Sequence, residues 1–185
     1  MRVSRDEMNR SHERIVDGAS RLLRERGVDS TSVADVMEAA GLTHGGFYRH
    51  FDTKNALVEA AIASAFAQMK NLIEQNLRDR EPAIARQMLR GYYLSENHLA
   101  HPAGACPVAT LAGDVARAEP GLKAAFGRGV EEMLEAVALC HTGTRDERKT
   151  AAIRDFAMLV GAAVIARACD PVMANTVLAA CRTPA

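Results

Sequence analysis

The 185-residue chain has no tryptophan and only eight other large aromatics, three Tyr and five Phe. Ring stacking therefore cannot build its core, and aliphatic side chains must do the filling. Net charge is also missing, with 23 Lys and Arg against 23 Asp and Glu. That excludes a surface saturated with one sign, as a general polyanion binder would carry, and leaves room only for local patches. No stretch approaches the ~20 uncharged apolar residues of a membrane span. "MRVSRDEMNRSHER" has no apolar segment behind its first arginines, so no export signal and no membrane partner are expected. The four cysteines, Cys106, Cys140, Cys169 and Cys181, lie far apart without paired spacing. They are expected to be reduced thiols in a cytoplasm rather than a disulfide framework. No motif asks for a cofactor or a metal.

What the chain does hold is apolar residues, 48% of the total, arranged almost everywhere with helical period and nowhere with a convincing alternating strand. An all-α fold of about nine helices is expected. Ile15, Ala19, Leu22 and Leu23 form one face of the first helix, which Gly27 stops with Val28 as its hydrophobic contact. "STSVADVMEAAG" restarts with Ser32 and Asp35 as a capping pair, buries Val33, Val36 and Met37, and ends at Gly41. Thr43 is placed to cap a very short third helix, and Asp52 or Thr53 a long fourth one. Further helices are expected over 83–97, from Pro107, from Pro120, over 146–168 and over 171–181. "HLAHPAGACP" is expected to be irregular between the fifth and the sixth. The chain divides into a small unit, 1–55, and a larger helical unit, 56–185.

"VADVMEAAGLTHGGFYRH" has the spacing of a helix-turn-helix, two short helices joined through a glycine. Three of the eight aromatics crowd into residues 47–51. Phe47 and Phe51, four apart, can anchor the short helix inward. Tyr48, Arg49 and His50 are left outward, within reach of phosphates. Thr43, His44 and Gly45 occupy the end at which a recognition helix meets base edges. Lys54 adds a charge to the first turn of the next helix, beside amide donors suited to phosphate. Packing alone explains glycines and aromatics near a turn equally well. The first sixty residues hold nine Arg and Lys against ten Asp and Glu, so bulk charge does not separate the two readings. The N-terminal arm is locally basic, through Arg2, Arg5, Arg10 and Arg14.

Residues 12–58 strongly resemble the TetR family of bacterial transcriptional regulators. The resemblance rests on the helix before Gly27, the Thr31-Ser32 start, Gly41, Gly45, Tyr48, Phe51, Lys54 and Leu57. It implies a homodimer that binds palindromic operator double-stranded DNA, acting as a repressor and leaving when a small-molecule effector enters the C-terminal unit. It further implies phosphate contacts from Thr31, Tyr48, His50 and Lys54, and base reading by Thr43, His44 and Gly45. The chain departs from the family at His44, where Lys is frequent, and at Gly46, with Arg49 able to compensate.

In the second unit, "YYLSENHLAHPAGACPVATLAGDVARAEPGLKAAF" resembles the C-terminal domain of one TetR subgroup, through a Gly-x-Cys-Pro-like element and Asp114-x-x-Arg117. Cys106 precedes Pro107 at an expected helix N-terminus, where amides and dipole favour a thiolate. Two readings stand for it: a sensing thiol, or a small packing residue. Met69, Tyr92, Tyr93, Phe126 and Met133 join it as candidate effector contacts. Core packing explains the same residues. Phe156, Val160, Val164, Val172 and Val177 are the candidate dimer contacts, with the monomer core as the alternative. His98, His101 and Cys106 match no closed metal-ligand spacing well. A helical thiol-dependent enzyme or electrophile scavenger using Cys106 is the alternative function, and would require an adjacent base.

Overall fold

The computed structural model describes residues 5–182; Arg2 of the basic arm lies outside them. Among the described residues there are nine α-helices, two short 3-10 helices and no strand. The first unit comprises α1 (Arg5–Arg26), α2 (Val33–Ala39) and a 3-10 helix, His44–Arg49. It runs into α3 (Lys54–Leu77), which is followed by α4 (Pro82–Tyr93) and α5 (Glu96–Ala100). A 3-10 turn at Pro102–Gly104 leads to α6 (Pro107–Ala116), α7 (Pro120–Ala138), α8 (Arg145–Ala168) and α9 (Pro171–Arg182). No helix among the described residues is long and apolar enough to cross a membrane.

Local chemistry sets most of these boundaries. Gly27 and Gly41 end α1 and α2 with φ of +86° and +69°, a region that costs a residue with a Cβ about 1–2 kcal/mol. Ser32 and Asp35 form the expected capping box, each satisfying the other's backbone N–H. The Ser32 hydroxyl holds the exposed Asp35 carboxyl below the usual carboxylate range. Thr53, not Asp52, caps α3, accepting from the Ala56 N–H at 3.1 Å. One expectation fails between residues 83 and 97, where two helices stand instead of one. Ser95 takes extended backbone and caps α5 through the His98 N–H. The stretch expected to be irregular is consequently mostly helical, through the end of α5 and the 3-10 turn.

Both units share α3. Its Leu57, Val58, Ala61, Ile62, Ala65, Phe66, Met69, Ile73 and Leu77 are buried, and the helix packs against both α1 and α7. The α3–α7 crossing is close enough that a methyl group on Gly129 would overlap the ring of Phe66, which itself meets Phe126 edge-on at 5.1 Å. Gly129→Ala is expected to lower stability by about 1–3 kcal/mol through overpacking, despite alanine's better helix propensity. Urea denaturation checks this; a variant at least as stable as wild type contradicts the tight crossing.

Candidate nucleic-acid interface

The Thr43–Arg49 segment is a thin ledge held from one side. Phe47 is buried, 2% exposed, and Phe51 nearly so, their rings 5.9 Å apart in near-parallel orientation. His12 of α1 closes the stack, 4.7 Å from the Phe51 ring. These contacts hold a six-residue 3-10 helix whose two glycines would not keep it helical alone. The other side is open. Thr43, His44, Gly45, Tyr48 and Arg49 are exposed, Tyr48 at 72%, and no atom lies within 4 Å of a Cβ built on Gly45. An aromatic ring standing this far into solvent, flanked by guanidinium and imidazole, suits a phosphate-lined groove better than a monomer surface. Lys54 is exposed in the first turn of α3, and its Nζ donates to the Val28 carbonyl at 3.3 Å.

Thr31 needs correction as a site residue, and Thr43 and His50 differ in detail from what was expected. Thr31 does not face outward; it is 2% exposed and donates its hydroxyl to the Gly27 carbonyl at 2.8 Å. Its work is to fasten the turn after α1. Thr43 occupies the N-cap position but makes no capping bond with its side chain, which leaves the exposed hydroxyl to the outer face. His50 is half-buried, its ring 5.9 Å from that of His12. Burial, then the neighbouring His12 and Arg49, push its pKa down, so it is a poorer cation than an exposed histidine.

The second unit departs further from expectation. Met69, Tyr93, Cys106, Phe126 and Met133 all lie in the packed core. Only Tyr92 of the candidate effector contacts lines an open groove, about 210 Å³ between α3 and α4, with Leu72, Ile73, Leu77, Met88 and Leu89. Cys106 is wholly buried, and burial pushes its thiol up despite its place before α6. Desolvation outweighs the helix terminus, so of the two readings of Cys106 the packing residue is favoured over the thiolate. His98 Nε2 accepts from the Cys106 N–H at 3.1 Å, while exposed His101 is bonded to the Asn97 carbonyl. The two imidazoles and the thiol do not converge as ligands. Phe156 is buried, its ring edge-on to Tyr93 at 5.9 Å, and so belongs to the core of the subunit. Val160 and Val177 are half-buried against the core, whereas Val164 and Val172 are exposed.

With this geometry in place, the chain can be set beside known proteins. Residues 15–61 match the family of bacterial regulatory proteins, tetR family. The TetR-type segment is 38% identical over 64 residues to the HTH-type transcriptional regulator TtgR of Pseudomonas putida. That match covers 35% of this chain and 30% of TtgR, less than a third of the relative's length. The whole chain is similar in fold to E. coli NemR in its reduced form, with a TM-score of 0.78 at 15% identity over 93% of both chains. It is likewise similar to a TetR transcriptional regulator of Chloroflexus aurantiacus, with a TM-score of 0.76 at 22% identity over 96% of this chain and 92% of the other. The TetR-type fold thus extends through the second unit, where sequence identity is low.

Sequence reasoning missed two arginines that tie distant backbone together, Arg24 and Arg167. Arg24 looks like one more charge on α1, yet it is 5% exposed. It donates to the Ser20 carbonyl and hydroxyl, to Gln68 Oε1 and to the Ala105 carbonyl. Its only sequence signal was its place beside Leu22 and Leu23 on a buried face. Arg167 of α8 donates similarly to the carbonyls of His98, Leu99 and Ala109. The Arg24 bonds to Gln68 and Ala105, and all three Arg167 bonds, have no local spacing that would announce them.

Proposed function

We propose that this chain is a cytoplasmic DNA-binding transcriptional regulator, a repressor that binds a palindromic operator as a homodimer. The observation that carries the reading is the open face of Thr43, His44, Gly45, Tyr48 and Arg49, within a segment that matches the tetR family. In this role Thr43, His44 and Gly45 meet base edges, and Tyr48, Arg49, His50 and Lys54 hold phosphates. One such unit reads few base pairs, and a second copy doubles the contact. The partner copy would cover the outer stripe of α8 and α9, where Ile153, Val164, Val172 and Met173 are exposed, with Val160 and Val177 at its margin. A small apolar effector would enter at the α3–α4 groove beside Tyr92 and repack the second unit to release DNA. Burial of Cys106 and the raised pKa of its thiol speak against the alternative of a thiol enzyme or scavenger.

The test is a mobility-shift titration with a duplex that wild-type protein has enriched from a random-sequence library. Combining Tyr48→Ala with Lys54→Ala is expected to weaken binding at least about tenfold. It should also lower the salt slope by about one for the lost lysine–phosphate contact, with the circular dichroism spectrum unchanged. A wild-type chain that enriches no duplex, or a double variant that binds like wild type, refutes the proposal.

A further inference from the structure

Two straps tie the end of α1 and the turn after it to the ends of α6. At its N-terminal end, Arg24 donates to the Ala105 carbonyl at 3.1 Å. Near the other end, the Asp114 carboxylate accepts from the Val28 N–H at 2.9 Å, across 86 residues of sequence. The second strap is built for close approach. A Cβ on Gly27 would stand 2.8 Å from Asp114 Oδ2, and Arg117 holds the other carboxylate oxygen at 2.8 Å. Val28 is also held from its carbonyl side, by Lys54 at 3.3 Å. One residue backbone thus joins α6 of the second unit to the lysine at the start of α3.

We infer that Asp114 is a positioning residue for DNA binding, setting through the Val28 N–H the pose in which Lys54 and the Thr43–Arg49 ledge meet the duplex. This role rests on the DNA-binding function proposed above. When Lys54 turns to a phosphate, the Val28 carbonyl loses its donor, and the bond to Asp114 then restrains this turn from the side of the second unit. Movement of α6 is transmitted to the ledge by the same bond, because an N–H that loses its only acceptor in a half-buried site must follow that acceptor or find water.

The experiment compares full-length wild type, Asp114→Ala, Asp114→Asn and Arg117→Ala, using amide exchange at Val28, thermal midpoints and titration of the enriched duplex. Asparagine keeps an acceptor for the Val28 N–H, and Arg117→Ala leaves Asp114 in place, so both should retain a protected Val28 amide and near-wild-type affinity. Asp114→Ala should speed exchange at Val28 and weaken DNA binding by about tenfold, the size expected for loss of one charge-assisted hydrogen bond. Unchanged exchange at Val28 in Asp114→Ala overturns the strap. Fast exchange with unchanged affinity overturns the positioning role alone. A uniform loss of protection across the first unit, with Asp114→Asn equally impaired, makes the residue merely structural and also overturns it. Wild type that retains no duplex refutes the DNA-binding function itself, and this role with it.

Discussion

Phe47→Ala is expected to cost about 3–5 kcal/mol of stability, the usual penalty for emptying a buried aromatic site, and to abolish operator binding. The ring is 2% exposed and packs on Phe51, which His12 covers in turn. Beyond these rings the His44–Arg49 helix rests on α2, while its Thr43 cap makes no side-chain bond and two of its six residues are glycine. A chain of this length should lose on the order of 10 °C in thermal midpoint. The informative contrast is Tyr48→Ala one position on. That ring is 72% exposed, so its removal should leave stability within about 0.5 kcal/mol while still weakening DNA binding. Thermal melts and duplex titrations on both variants check the pair. Equal midpoints for Phe47→Ala and wild type would mean that the ledge is not held by its aromatics.

The second large effect is acid sensitivity centred on His98. Burial first, then the charge of Arg167, lower its pKa from 6.5 to about 4. The neutral form is also required by geometry, since Nε2 accepts from the Cys106 N–H and a protonated ring would oppose donor to donor. The Tyr93 and Tyr92 rings, 4.6 and 5.3 Å away, add no balancing negative charge at neutral pH. A depressed histidine pKa means that the unfolded chain binds the extra proton first. The contribution of His98 is therefore whole above pH 6.5, falls as pH drops, and is fully lost near pH 4, about 3 kcal/mol in all. His50 and His141 are also lowered, so the measure is a difference. Urea midpoints between pH 7 and 4 should fall more steeply for wild type than for His98→Gln, whose amide oxygen can accept the same N–H. Parallel curves would show that His98 is not held neutral.

The parts of the site legible beforehand were those in which cause and effect lie within one or two turns of chain. Gly27, Gly41 and the Ser32–Asp35 box act on their own backbone, and Phe47 with Phe51 follows from four-residue spacing. Thr31 was misassigned because a hydroxyl beside a helix start has two places to go. Only the path of the turn shows that the Gly27 carbonyl takes it. At Cys106, where sensing and packing both stood open, the sensing reading gives way for a related reason. Its position before Pro107 argues for a lowered pKa, but the other helices packed around it remove water and reverse the sign.

By itself, then, the sequence determined an all-helical chain, most of its punctuation, and a helix-turn-helix whose inward and outward residues separate by local period. Helical period places a residue on a face without saying what covers that face. Whether Phe156 meets its own subunit or a second copy, whether Met133 packs or lines a pocket, and whether Arg24 is solvated all depended on which helices became neighbours. Tertiary structure alone decided those, together with the Gly129–Phe66 crossing and the Asp114–Val28 strap. Each joins residues more than sixty positions apart, at distances set by the packing of whole helices rather than by any spacing along the chain.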